Sequence, residues 1–317
     1  FQSKLDKIGF TKEFIELPAD SIIDLKVFKE TPPFKLGKPK QKTNRSFKFG
    51  YEGEFENFKI KIINDDSLNY YGKITRLHDS DSLIYWLKTD KKLDSILFNV
   101  YNKKFSDTLK IKLRDKENDS LIIKSEQNKT LKFEDNFIIE ANLPFEKINK
   151  EKIKVFDKDS LNIDFEIKLD SLANQYSFIF EKEEEQEYRI ELMPGALTDF
   201  YENINDSLFF KARTRTYNDY GNLNLNLRNA VFPIIIELVN SRGQVKYDTY
   251  SINSSSIDFN NIDPGKYFIR ITFDKNQNKK FDSGNFLNKI FPERVVYYPD
   301  EVDVRAGWDL VQEFILQ

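Results

Sequence analysis

A chain of 317 residues has room for two or three domains of ordinary size, each with a buried core. Lys plus Arg (49) nearly cancel Asp plus Glu (52), the formal net charge is −3, and no basic face or acidic tail stands out, which argues against a nucleic-acid partner. With no cysteine and one histidine, the chain cannot build disulfides, thiolate nucleophiles, zinc–thiolate sites or two-histidine metal sites.

Period-two alternation of apolar and polar residues dominates and predicts antiparallel strands with one wet face. After a proline-rich entry at Pro32, Pro33 and Pro39 come Phe58, Ile60 and Ile62. The doublets Tyr70-Tyr71 and Tyr85-Trp86 each promise one core ring and one exposed ring, since neighbours on a strand face opposite ways. Between them His78, in RLHDSD, has no second histidine or cysteine to work with and reads as a loop residue. Leu109, Ile111 and Leu113 lead into a polar junction over Arg114–Lys129. The spacing at Pro144–Lys150 and at Pro194–Tyr201 predicts short helices. Between these, Leu161, Ile163, Phe165, Ile167 and Leu169 form the longest alternation, and Glu181–Glu187 (EKEEEQE) reads as a solvated hairpin tip. Asp-Ser-Leu recurs at Asp66, Asp81, Asp119, Asp159, Asp170 and Asp206 as turn punctuation. After a second junction at Tyr217–Gly221 come Leu223, Leu225 and Leu227, then Phe232–Val239, the longest apolar run, which has strand length and is far short of a membrane span. The expected fold class is all-β, with tandem Ig-like or prealbumin-like antiparallel β-sandwiches over 1–115, 116–220 and 221–317.

Residues 263–285, DPGKYFIRITFDKNQNKKFDSGN, join a tight turn, an alternating strand (Tyr267, Ile269, Ile271, Phe273) and a loop with oxygen-bearing groups at every second position. Asp274, Asn276, Asn278, the backbone carbonyl of Lys280 and Asp282 follow the one, three, five, seven, nine spacing that wraps hard oxygens around calcium. Lys279 stands where such loops carry glycine, and Asn285 where an EF-hand carries its bidentate glutamate, leaving two carboxylates. The same residues also suit a metal-free Asn/Asp-rich turn.

Residues 192–216, LMPGALTDFYENINDSLFFKARTRT, with Asn218–Gly221 and RVVYYPDEVDVRAGWDLVQEF near the C-terminus, resemble Ig-like-domain outer-membrane lipoproteins of Bacteroidota. The resemblance implies a final domain similar to the prealbumin-like B-type repeats of surface adhesins. In those a PG-Y strand enters a DxNxNGxxDxG loop, matched here by Pro264, Gly265, Tyr267, Asp274, Asn276, Asn278, Asp282 and Gly284. It further implies a non-catalytic structural or interaction module, an accessory subunit of an outer-membrane complex for barrel assembly, secretion or nutrient uptake. Its partners would be other envelope proteins, and its tie to the membrane a lipid anchor outside this sequence, which opens on Phe1. The alternative is a surface glycan-binding or glycan-degrading protein, with aromatics stacking on sugars and a carboxylate pair that no motif singles out.

Overall fold

The computed structural model describes residues 6–11, 14–16, 22, 25–53, 58–64, 68–77, 80–103, 105–125 and 130–316. His78 and Asp66 lie outside them. The chain is all-β: among the described residues the helical turns are two 3-10 turns, Lys150–Lys152 and Tyr217–Asp219, and no helix is long and apolar enough to cross a membrane. The chain forms two compact units. One joins Phe1–Pro32 to Thr216–Gln317 and the other is Pro33–Arg215.

Two sandwiches make up Pro33–Arg215. In the first, a sheet ordered Lys35–Leu36, Ser46–Glu52, Ser82–Thr89, Tyr70–Arg76 faces a sheet ordered Ser106–Lys112, Ser95–Tyr101, Lys59–Ile62. Between them Phe98 takes the edges of Phe47, Phe49 and Tyr85, with ring centroids 5.3, 5.3 and 5.4 Å away, a favoured aromatic geometry. The second sandwich packs a sheet ordered Ile123–Ser125, Phe137–Ala141, Gln175–Ile179, Glu166–Asp170 on one ordered Ile153–Phe156, Glu187–Leu192, Leu208–Arg213, over Phe137, Ile139, Val155, Phe178 and Ile190.

The central strand Ser82–Thr89 belongs to both sandwiches. Tyr85 and Leu87 enter the first core, while Ile84 and Trp86, on the opposite face, pack with Leu143 and Phe200 of the second. Both rings of the Tyr85-Trp86 doublet are therefore buried, unlike the expected in-and-out pair, and Trp86 Nε1 donates to Thr75 Oγ1 at 2.8 Å. Around this contact Tyr201 Oη lies within reach of the carbonyls of Arg45 (3.2 Å) and Leu87 (3.3 Å), Lys73 bonds Phe145 O and Glu146, and Lys88 pairs with Glu202 at 2.5 Å. Tyr70-Tyr71 follows the expected alternation, with Tyr71 exposed.

Two sequence expectations are corrected here. The segments with helical spacing become strands, Phe145–Ile148 and Leu197–Asp199, paired with each other. Buried polar side chains satisfy their backbone in that form: Asn174 Oδ1 accepts from Phe145 N, Asn205 Oδ1 from Leu197 N, and Asp199 Oδ1 from Tyr201 N and Asn203 N. The long alternation is strand only at Glu166–Asp170. Asp157 Oδ1 caps Asp159 N and Leu161 N, which folds the first half back onto Ile153–Phe156 and leaves Leu161 (64%) exposed. The Asp-Ser-Leu at Asp170 does cap a turn, Oδ1 accepting from Leu172 N and Ala173 N.

In the other unit, a sheet ordered Val245–Ser251, Ile234–Val239, Gly265–Phe273, Val295–Tyr297 faces one ordered Ser256–Ile262, Gly221–Arg228, Asp309–Ile315. The Gly221–Arg228 and Asp309–Ile315 strands run parallel, as does the isolated Thr130–Arg213 bridge of the other unit. Leu223, Leu225 and Leu227 meet Tyr267, Ile269, Ile271 and Phe273 in the core.

Candidate functional site

The Gly265–Phe273 strand delivers Asp274 to the end of the last sandwich. Its alternate residues anchor in the core, and Arg270 on the other face makes two bonds, 2.6 and 2.9 Å, to Glu237 on the neighbouring strand. Those bonds hold the guanidinium protonated beyond its usual range. Asp274 follows at 0% exposure, its N–H donating to Pro233 O at 3.1 Å. A carboxylate so enclosed needs donors. It finds them in the loop it precedes: Oδ1 accepts from Asn278 N (3.2 Å) and Oδ2 from Lys279 N (2.8 Å).

The loop brings the four expected side chains together. Asn276 Oδ1 accepts from Asn278 N, Asn278 Oδ1 accepts from Lys280 N, and both amide nitrogens turn to Asp282 Oδ2, at 2.5 and 2.8 Å. Lys280 is placed by its N–H. The sharp bends fall on Gln277 and Lys279, each at φ +62°, the left-handed region that costs a residue with a Cβ. Lys279 Nζ leaves the loop for the Tyr250 ring, 5.3 Å from its centroid. The Tyr250 hydroxyl is enclosed with no hydrogen bond of good geometry, and loss of water, then the neighbouring Asp274 carboxylate, raises its pKa.

Glu293 is the residue that linear spacing missed. Its Oε1 accepts from Lys275 N (2.8 Å), its Oε2 from Asp282 N (3.0 Å), and its own N–H donates to Asp282 O (3.0 Å), so it closes the loop where an EF-hand would place its last glutamate. It lies 11 residues beyond Asp282, outside any one-to-twelve pattern. Among the described residues no three Asp, Glu or His side chains converge in metal-holding geometry: Asp274 and Glu293 bond backbone N–H groups, and Asp282 bonds amides. The side chains gathered here are three carboxylates and two amides, Asp274, Asn276, Asn278 and Asp282 on the loop and Glu293 beyond it. Rotating the two Asn amides would turn their oxygens toward Asp282.

Elsewhere, the acidic run Glu181–Glu187 joins strands of two different sheets, a crossing loop and not the expected hairpin tip, and Glu187 at its end is held below the usual carboxylate range by hydrogen bonds from Lys211 and Arg213. The exposed rings Tyr71 and Tyr297 belong to different units. Between the first two sandwiches a cleft of about 700 Å³ carries both signs of charge, Arg45, Lys88 and Arg114 against Asp90, Asp94 and Glu202.

No protein-family model matches the chain, and no curated protein resembles it significantly. Among solved structures, the Bacillus anthracis TIE protein aligns at 10% identity and TM-score 0.21, over 64% of this chain and 41% of its own. The titin I-band fragment I67-I69 aligns at 14% and 0.18 (89% and 99% covered), and the T6 backbone pilin of serotype M6 Streptococcus pyogenes at 8% and 0.21 (76% and 82%). Superpositions this loose carry no argument. The all-β class rests on the strands themselves.

Proposed function

We propose that the chain is a non-catalytic structural and interaction module, an accessory subunit of an outer-membrane protein complex, whose last sandwich is rigidified by calcium in the Asp274–Asp282 loop. The observation that carries the calcium reading is the gathering of Asp274, Asn276, Asn278 and Asp282 on one loop, with Glu293 across its mouth. The membrane setting is supported by the resemblance to Bacteroidota lipoproteins, a family-level analogy. Calcium would sit between the fixed Asp274 end and the Asp282 arm, tying the strand that enters the loop to the segment that leaves it. The bound ion would supply charge neutralisation, and the chain supplies the oxygens. The module's role is then to hold edges and loops in place for envelope partners.

The test is affinity purification of the tagged full-length protein from detergent-solubilised native envelopes, with calcium and with chelator. Recovery in stoichiometric complex with a membrane barrel supports the reading. Recovery alone, folded and in full yield, overturns it in favour of the glycan-binding alternative, which a glycan array then checks.

A further inference from the structure

The N-terminal segment is folded into the far end of the chain. Ile8–Gly9 pairs antiparallel with Val27–Phe28, and the pair buries two rings, Phe10 and Phe28. Phe10 meets Phe28 (6.1 Å between centroids), Phe286 (5.8 Å) and Phe291 (4.3 Å), and Lys289 Nζ covers Phe286 and Phe10 at 4.1 and 5.2 Å. The Phe28 ring fits over Gly284 so closely that a Cβ there would lie 2.6 Å from two ring carbons and 2.7 Å from Ile290 O. Glycine at 284 is therefore required by this contact. Polar bonds finish the fit: Ser283 Oγ to Lys29 O, and Phe286 N to Glu30 Oε1.

These rings are absent from the sandwich's buried core, so the contact is a separate apolar cluster that can open while the sandwich stays folded. Its hairpin, closed by the Asn285–Ile290 backbone pair, is also the exit arm of the oxygen-rich loop. One step back along that arm Asp282 is bonded to Glu293, and Glu293 to Lys275 at the loop's entrance. A continuous path of contacts runs from Phe28 through Gly284, Asp282 and Glu293 to the loop.

We propose that two described pieces, Ile8–Phe10 and Val27–Glu30, together are a latch on the oxygen-rich loop. Docking of the latch and ordering of Asp274–Asp282 form one coupled equilibrium, so a pull on the N-terminal segment loosens the loop and anything that tightens the loop seats the latch. The latch needs no ion. Its control by calcium rests on the reading above.

Hydrogen exchange on the full chain tests both parts separately. In Phe28→Ala, exchange in 283–291 and in 274–282 rises about tenfold while 234–239, in the sandwich core, stays as in the wild type. Gly284→Ala, which attacks the same contact from the hairpin side, gives the same pattern and serves if Phe28→Ala fails to fold. A rise confined to 283–291, or none, overturns the latch. Added calcium slows exchange at 274–282 and at 27–30 in the wild type. Slowing at the loop alone overturns the coupling and keeps the calcium site. No slowing anywhere overturns the calcium reading, and the two variants still decide the latch.

Discussion

The buried carboxylate of Asp274 accepts the backbone N–H of Lys279 at 2.8 Å, and Lys279 is a residue that bends the loop at φ +62°. The bend is thus stabilised from inside while its own side chain opposes it. Releasing the Cβ in Lys279→Gly relieves about 1 kcal/mol of left-handed strain, set against added chain entropy and the loss of an exposed cation–π contact worth about 0.5–1 kcal/mol. These terms nearly cancel in chelator. With calcium, glycine lets the loop close tighter, so Lys279→Gly is expected to leave the chelator Tm within a degree or two and to strengthen calcium binding by calorimetry. An unchanged or weaker affinity contradicts the placing of the ion inside this bend.

Asp274 and Asp282 behave differently when truncated. Asp274→Ala takes away the acceptor of Lys279 N–H, at about 1–3 kcal/mol whether or not metal is present, while Asn278 N–H keeps its second acceptor, Asn276 Oδ1. Asp282→Asn keeps an amide oxygen for Asn276 and Asn278 while removing a charge. Asp282→Asn is therefore the clean probe, with a wild-type Tm in chelator and no rise on adding calcium. Equal Tm shifts in calcium and chelator for this variant mean that the loop acts through its hydrogen bonds alone.

Truncation of Trp86 should expose the shared character of the Ser82–Thr89 strand. Removing a buried indole that also bonds Thr75 costs about 3–5 kcal/mol. Calorimetry of Trp86→Ala is expected to lower the transition of Pro33–Arg215 and to leave that of the other unit in place. Equal lowering of both, or of neither, contradicts the assignment of Trp86 to this contact.

Sequence reached furthest where a strand has one wet face. Leu223, Leu225, Leu227 and Tyr267, Ile269, Ile271, Phe273 read as core and are core, because a two-sheet sandwich imposes period two on them. It failed where a second layer covers the wet face, as at Trp86, since the covering residues Leu143 and Phe200 come from another sandwich. It failed again at Leu161, where the Asp157 cap turned an alternation into a bend. In the candidate site the oxygen-bearing residues at every second position stand out as a pattern. Glu293 does not, and neither does the latch, whose Glu30 reaches Phe286 across 256 positions, a distance over which local spacing carries no information.

Acid should weaken the strand pair Glu187–Leu192 and Leu208–Arg213 through one identifiable carboxylate. Bonds from Lys211 and then Arg213 lower the Glu187 pKa from its ordinary 4.5. A depressed folded pKa means stability that is present above 4.5 and is lost as pH falls through the lower folded value, because the unfolded chain takes up the proton first. Glu202, lowered by its bond to Lys88, adds a loss of the same sign between the first two sandwiches. Both groups are solvent-exposed ion pairs, so the loss is small and salt weakens it further. Urea midpoints of the wild type are expected to fall more steeply below pH 4.5 than those of Glu187→Gln, with the two proteins close at pH 7 in high salt. Parallel curves for the two proteins across that window assign the acid sensitivity to other carboxylates and leave the Lys211–Glu187–Arg213 cluster without a role in it.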